Sequence, residues 1–250
     1  MTNRSAIGFD RTIRLDWLDT VAENVRSGST DSEVRDFLWE YLGSSRGDQA
    51  GAAAVRKTIT VLRHIWSCVP DDCVTMRDRA LELLGTCPNT DRIAIHWAMT
   101  TATYPFFADV GTAVGRLLRL QNIVSSQQVY RRMRELWGDR STVRRAGQRV
   151  LSTMTTWGVL MEAGKTGQFD QSKKQIKPSE PVAALMFEAL IRYNEGAPLL
   201  LTALQHHPSL FGFDISLSSR QIRTSASIDI SMQGVDSEII ALRTSSKMTS

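Results

Sequence analysis

Apolar residues recur every three or four positions in a series of short segments that fills most of the first 200 residues, with glycine or proline between many of the segments. In the first segment Ile13, Trp17 and Val21 are four apart, which places them on one face of an α-helix. Each such helix needs neighbours to cover its apolar face, so a bundle is the natural packing. The spacing predicts α-helices over residues 12–26, 31–41, 50–66, 70–85, 90–104, 106–120, 126–137, 140–157, 180–193 and 198–206.

The last part of the chain has a different period. From residue 215 the pattern becomes two-fold, and Ile228, Ile230 and Met232 alternate with polar residues, as in a β-strand. Gln233-Gly234 could turn into a second strand over residues 238–242. Residues 244–250 are expected to form a frayed tail.

The composition predicts a folded rather than a disordered chain. Hydrophobic residues make up 42% of it, which is enough for a core. The chain starts with no apolar run of signal-peptide length, and no stretch approaches the roughly 18 apolar residues of a membrane helix. We therefore expect a cytoplasmic protein without a membrane partner. Cys68, Cys73 and Cys87 cannot all pair with one another, so reduced, buried thiols are expected.

Positive charge is concentrated in the middle of the chain. Residues 116–177 hold thirteen basic and four acidic residues, a net charge of +9, although the whole chain is only +4. The flanking parts are mildly acidic. Such clustering is typical of a surface that meets phosphate groups, so it favours a nucleic-acid partner.

The segment 140–157 is the strongest candidate for a binding helix. On a helical wheel its apolar residues share one face, and the opposite face holds only arginine, glutamine, serine and threonine. No acid occurs between Arg140 and Met161, whereas an ordinary solvated helix mixes signs to form ion pairs. Arginine and glutamine side chains are donors to phosphates and base edges. Exposed aromatic residues for stacking on single strands are missing from this face, so duplex DNA is favoured.

A basic hairpin is predicted directly after this helix. Gly158 ends the helix, and the stretch from Val159 to Lys177 carries turn residues and four lysines. Helix, turn, short helix, turn, basic helix and hairpin follow one another in the order of a winged helix-turn-helix. The predicted DNA-binding residues are Arg131, Arg132, Arg134, Arg140, Ser141, Thr142, Arg144, Arg145, Gln148, Arg149, Lys165, Lys173, Lys174 and Lys177.

The predicted fold class is therefore mainly α, in three parts. An N-terminal helical bundle would occupy residues 1–104, a winged helix-turn-helix-like basic domain residues 105–178, and helices with short β-strands and a tail residues 179–250. Gly111 and Gly115, spaced as GxxxG, predict close packing of the helix that contains them. Asp31 is expected to cap the helix that follows it.

One stretch resembles a known family. Residues 139–154, with the sequence DRSTVRRAGQRVLSTM, and the following Gly158-Val159-Leu160 resemble a segment of the BrxA family of bacterial BREX phage-defence systems. His96-Trp97 and the segment 104–110 are similar in order and character, so the resemblance covers roughly residues 90–200. It implies an all-helical protein with an N-terminal bundle like the antitermination factor NusB, and a winged-helix part that binds duplex DNA as a non-enzymatic component of a defence system. Other defence-system proteins would be its partners.

Other interpretations of the same residues remain open. The basic face could be merely solvated, or it could dock an acidic partner in a larger complex, with the strands of residues 215–242 pairing with a partner sheet. Gly164-Lys165-Thr166 lacks the earlier glycine of a phosphate-binding loop. Cys68 and Cys73 lack the spacing of a zinc site, and Asp71-Asp72 has no partner residues typical of a nuclease. We therefore expect no enzyme activity, no metal and no cofactor. Oligomeric state is left open.

Overall fold

The computed structural model describes residues 7–46, 51–223, 225–233 and 237–243 and is mainly α-helical. Its α-helices are α1 Leu15–Arg26, α2 Asp31–Arg46, α3 Ala52–Trp66, α4 Val74–Thr86, α5 Arg92–Thr103, α6 Pro105–Leu118, α7 Ser126–Trp137, α8 Ser141–Thr156, α9 Glu180–Tyr193, α10 Leu201–Gln205 and α11 Ser219–Ile222. Its strands are β1 Ile123–Ser125, β2 Leu160–Glu162, β3 Gln168–Gln171, β4 Leu199–Leu200, β5 Ile228–Gln233 and β6 Ser237–Leu242. Short 3₁₀ turns cover Asp71–Cys73, Asn89–Asp91 and Pro208–Leu210.

The mainly helical fold class predicted from the apolar spacing is confirmed. The helix predicted over residues 198–206 is wrong in its first turn, because Leu199 and Leu200 pair with Ile240 and Ile239 of β6, and only a five-residue helix follows them.

The cap predicted for α2 is also wrong. Thr30 supplies it, since Thr30 Oγ1 accepts a 3.4 Å hydrogen bond from the Glu33 backbone N–H and the Glu33 carboxylate accepts one of 2.7 Å from the Thr30 N–H. Asp31 instead accepts from Arg63 and Ser67.

Helices α6 to α8 and the first sheet form a winged helix-turn-helix. The order along the chain is α6, β1, α7, α8, β2 and β3, and the antiparallel sheet has the order β1-β3-β2. Strand β1 pairs with Gln168–Asp170 of β3, with Val124 opposite Phe169. Strand β2 pairs with the other edge of β3. The predicted order of elements is therefore present, with β1 as an additional strand that the sequence pattern did not indicate.

The core is continuous from the N-terminal helices to the winged helix and the C-terminal part. The Trp97 ring of α5 makes edge contacts with the rings of Phe107 in α6, Trp157 directly after α8, and Phe213 in the C-terminal part. Aromatic edge contacts of this kind add to the energy of burial. The bundle and the winged helix therefore share one apolar interior.

The close packing predicted for the GxxxG pair is confirmed at α6. A Cβ atom on Gly115 would lie 1.8 Å from the backbone oxygen of Pro208, and one on Gly111 would lie 3.4 Å from Cβ of Ser209. Only glycine at residue 115 lets the turn Pro208–Leu210 approach α6 this closely. This contact holds the C-terminal part against the first helix of the winged helix-turn-helix.

A second antiparallel sheet of order β4-β6-β5 closes the C-terminal part. Ile230 of β5 faces Ile240 of β6, which is fully buried. The two predicted strands are confirmed, whereas Gly234 of the predicted turn and the predicted tail over residues 244–250 lie outside the described residues. None of the described helices has the length and apolar character needed to cross a membrane.

Candidate nucleic-acid interface

Helix α8 is held in place by its apolar face and by the chain segment that precedes α1. Val143, Val150 and Met154 are completely buried. The Trp157 indole Nε1 donates a 2.9 Å hydrogen bond to the backbone oxygen of Ile13, and the Ile13 N–H donates one of 3.0 Å to Thr153 Oγ1. These two bonds give the buried N–H and C=O groups of Ile13 partners on α8 and at its C-terminal end. They therefore fix the helix against the N-terminal part.

The opposite face of α8 is exposed and carries only cationic and neutral polar side chains. Arg144, Arg145, Gln148 and Arg149 are all exposed, as the wheel predicted. In the described part of the chain, Arg145 and Arg149 have neither an acidic partner nor a side-chain hydrogen bond. Their guanidinium donors are therefore available to an external anion.

The first turn of α8 holds no acidic residue, and Asp139, directly before the N-cap residue, accepts a hydrogen bond from Tyr130. Arg140 is the N-cap residue, it makes no side-chain cap, and Ser141 and Thr142 follow in the exposed first turn. Arg140 instead donates a 3.0 Å hydrogen bond to the backbone oxygen of Trp137. Free N–H groups and the helix dipole at such a terminus favour phosphate.

Helix α7 begins with a capping box and packs against α8. Ser125 accepts from the Gln128 N–H, and the Gln128 side chain accepts in turn from the Ser125 N–H. Arg131, on the exposed side of α7, makes no ion pair within the described residues, whereas Arg132 and Arg134 each have an exposed acidic neighbour, Glu135 at 3.5 Å and Asp139 at 3.6 Å. Exposed ion pairs of this kind contribute little free energy.

Tyr130 links α7 to the exposed face of α8. Its hydroxyl donates a 2.6 Å hydrogen bond to Asp139, which raises the pKa of Tyr130, and the Arg144 guanidinium lies 5.8 Å from the centre of its ring. A groove of about 420 Å³ runs between the two helices beside this ring, and Gly147 forms part of its wall. No local pattern indicated the groove, because it forms only where α7 packs against α8.

The hairpin after α8 forms the wing, and its turn lies at the start of α7. Gly164 and Gly167 adopt φ values of +68° and +78° in this turn, a region of backbone conformation that favours glycine. The Ser126 N–H donates a 2.8 Å hydrogen bond to the Gly167 oxygen, so the turn contacts a residue that lines the groove. Lys165 is exposed in this turn.

The other three predicted lysines lie elsewhere. Lys173 and Lys174 follow β3 at the base of the hairpin, where the Ser172 N–H bonds the Val159 oxygen near the end of α8. Lys177 follows Ile176, which pairs with Phe213 of the C-terminal part. The expected basic tip therefore consists of Lys165 alone, because β3 ends at Gln171 before the later lysines are reached.

The structure also brings together residues that spacing did not connect. Asp19 accepts hydrogen bonds from Arg92 and from the buried His96, at 2.8 Å each. Burial opposes ionisation of Asp19, but these bonds outweigh it and hold the pKa of Asp19 below its ordinary value. For His96, burial disfavours the charged imidazolium and lowers the pKa, although the acidic Asp19 is its partner. Asp19 and His96 are 77 residues apart, so no local motif could reveal them.

The cysteines and acidic residues give no sign of a metal site. Cys73 is buried, Cys87 is half-buried and Cys68 is exposed, so the expectation of buried thiols fails at Cys68. Burial raises the pKa of the Cys73 thiol to about 12. Within the ranges that the structure describes, no three His, Cys, Asp or Glu side chains come together as metal ligands would.

Comparison with protein-family models, with curated proteins and with solved structures finds no match to this chain.

Proposed function

We propose that this protein binds duplex DNA without catalysing a reaction, and that α8 enters the major groove. The observation that carries the proposal is the exposed face of α8, where Arg144, Arg145, Gln148 and Arg149 stand on a winged helix-turn-helix and the helix contains no acid. An α-helix fits the major groove, where arginine pairs with guanine and glutamine with adenine.

The neighbouring elements supply phosphate contacts in this proposal. Arg131 on α7 and Lys165 in the turn of the wing are exposed cations, and this turn contacts Ser126, which lines the groove. The first turn of α8, with Ser141 and Thr142, adds neutral donors. Such contacts fix the position of a protein on the duplex and carry most of the salt dependence of binding.

The resemblance of residues 139–154 and 158–160 to the BrxA family supports a role in a bacterial phage-defence system. In that setting the protein would act beside other defence proteins, which are its proposed protein partners. The resemblance lies in α8 and its exit, the same part of the chain that carries the exposed basic face.

A salt-dependent titration tests the DNA proposal. Fluorescence anisotropy with a labelled duplex of about 20 base pairs, repeated at several salt concentrations, should show affinity that falls steeply as salt rises. The variant Arg144→Ala/Arg145→Ala/Arg149→Ala should bind at least a hundredfold more weakly, by about 1–3 kcal/mol for each base-reading contact. Its thermal stability should be unchanged, since all three side chains are exposed.

A matched control separates a specific face from total charge. Arg35→Ala/Arg220→Ala/Arg223→Ala removes the same number of exposed arginines from α2, α11 and the residue after it, and it should bind like the unmodified protein. Equal losses in both variants would refute a dedicated DNA-reading face. Absence of binding even at low salt would favour the alternative, in which the basic face docks an acidic protein.

A further inference from the structure

A cavity between α6 and α7 lies apart from the exposed face of α8. It has a volume of about 540 Å³, within the range of small-molecule sites. Asp109 and Thr112 line its inner end, and Leu120 and Leu136 lie at its mouth. The cavity therefore runs from a buried polar end to an apolar rim.

The positive charge in this cavity is only partly neutralised. Arg116, Arg119 and Arg132 all line it. Arg132 has an exposed partner in Glu135 at 3.5 Å, whereas Arg119 donates to the backbone oxygen of His206 and Arg116 has no ion pair with any described residue. Two guanidinium groups thus face the cavity region without a carboxylate partner, an arrangement that binds carboxylates and phosphates well.

Two acids line the cavity; Glu135 pairs with Arg132, and the buried Asp109 is already engaged by neutral donors. Asp109 accepts a 2.8 Å hydrogen bond from the Trp137 indole and a 2.5 Å bond from the Tyr193 hydroxyl, and only 2% of it is exposed. By contrast, the buried Thr112 hydroxyl has no hydrogen-bond partner in the described part of the chain. The cavity therefore offers an unused polar group beside its cations.

The rim requires an apolar occupant. Leu120 is 81% exposed and Leu136 is 51% exposed, and both line the cavity beside the buried Ala113 and Leu117. Large exposed apolar side chains around a concave site mark a binding surface. A small ion alone would leave these leucines in water, whereas a molecule with an apolar body would cover them.

We propose that this cavity binds a small amphipathic anion, a carboxylate or phosphate monoester with an apolar body. Its anionic group would pair with Arg116 and Arg119, and its apolar body would lie against Leu117, Leu120 and Leu136. The site is formed by α6 and α7, so it does not depend on whether α8 binds DNA.

Displacement of a fluorescent probe tests this proposal. The amphipathic anion 8-anilinonaphthalene-1-sulfonate should bind the folded protein, and decanoate should displace it, whereas the uncharged decanol and inorganic phosphate should displace it at least tenfold less well. Arg116→Ala, which removes an exposed and unpaired cation, should weaken decanoate binding about tenfold or more, as expected for a charge-assisted contact. Leu136→Glu, which adds a negative charge at the rim, should weaken it similarly.

The control variant is Arg220→Ala, which removes an exposed arginine from α11, outside the cavity lining. It should bind decanoate like the unmodified protein, and circular dichroism should show all three variants equally folded. Equal displacement by decanol, displacement by phosphate alone, or unchanged binding in both cavity variants would overturn the proposal. None of these results depends on DNA, so a failure here is distinct from a failure of the proposed function.

Discussion

The Trp157 indole, directly after α8, donates a hydrogen bond to the backbone oxygen of Ile13, 144 residues earlier in the chain. The Ile13 N–H in turn donates to Thr153 Oγ1 of the same helix. The helix proposed to read DNA is therefore held through the backbone N–H and C=O of Ile13, and its orientation depends on residues far from its exposed face.

Thr153→Val should destabilise the fold. The substitution keeps the shape of the side chain but leaves the buried Ile13 N–H without an acceptor, at a cost of about 1–3 kcal/mol. Thr156→Val is the control, since the exposed Thr156 hydroxyl donates only to the Ser152 oxygen of its own helix. Urea unfolding of both variants measures the difference. Equal free energies of unfolding would mean that the Ile13 bond contributes nothing.

Gly115→Ala should destabilise far more than Gly111→Ala, although the two positions lie one turn apart in α6. A methyl group at residue 115 would overlap the Pro208 oxygen, so the cost should be about 3 kcal/mol or more. At residue 111 it would lie at contact distance from Ser209, and the gain in helix propensity of up to about 1 kcal/mol should offset any strain. Thermal melts of the two variants provide the comparison, and similar melting temperatures would contradict the backbone contact.

Stability should fall between pH 6.5 and 4 in part because of His207. Burial, and then the charges of Arg116 and Arg119, lowers the pKa of His207 to about 4. As the pH falls below the ordinary histidine pKa of about 6.5, the imidazole of the unfolded chain is protonated, whereas that of the folded chain stays neutral. The free energy of unfolding therefore drops by roughly 3 kcal/mol and levels off below pH 4. Above pH 6.5 the group has no effect.

His207→Asn isolates this contribution. Asparagine can supply the acceptor that His207 Nδ1 offers to the Ser209 N–H, but it does not titrate. The free energy of unfolding, measured by urea at intervals from pH 4 to 8, should depend less on pH in the variant. Parallel curves for the two proteins would show that another group is responsible. Burial thus makes the neutral imidazole the stable form of His207 in the folded chain near neutral pH.

Glu188→Ala should cost about 3–5 kcal/mol of stability. Glu188 is fully buried and accepts 2.6 and 2.5 Å hydrogen bonds from Arg79 Nη2, and Arg192 bonds the same carboxylate at 2.9 Å. Removal of the carboxylate leaves partly buried guanidinium groups without their anion. Glu135→Ala, in an exposed pair with Arg132, should change stability by at most about 1 kcal/mol. Chemical denaturation of both variants tests the contrast, and a small effect at residue 188 would contradict it.

Lys165→Ala should weaken DNA binding and reduce the slope of log affinity against log salt by about one. Lys165 lies in the turn of the wing, whose backbone contacts the start of α7. Lys177→Ala is the matched control because its neighbour Ile176 pairs with the C-terminal Phe213. Anisotropy titrations of both variants measure the slopes. A larger effect at Lys177 would move the phosphate contacts away from the wing.

The longer helices were predictable because each depends on nearby residues, whereas the short α10 was predicted one turn too long and α11 was not predicted. The exposed arginines of α8 and the buried Trp137 and Trp157 follow from a helical period alone. Strand β1 has only three residues and leads directly into the cap of α7, so no alternation could mark it.

Long-range partners were not predictable in the same way. Arg79 and Glu188 are 109 residues apart, and the cavity beside Arg116 and Arg132 forms only where α6 meets α7. Spacing along one segment contains no information about which second segment packs against it. The carboxylate of Asp109 shows the same limit, because its donors come from α7 and α9.

The sequence suggested a division at residue 104, yet Tyr104 is the N-cap of α6, and the core passes without interruption from Trp97 to Trp157. The winged helix is consequently not a transplantable module. A fragment beginning at residue 105 would lose the backbone partners that Ile13 offers to α8, and it would lose Phe9 and Trp97, which contact Phe107. Changes to the N-terminal helices, by evolution or by engineering, would therefore alter the orientation of α8.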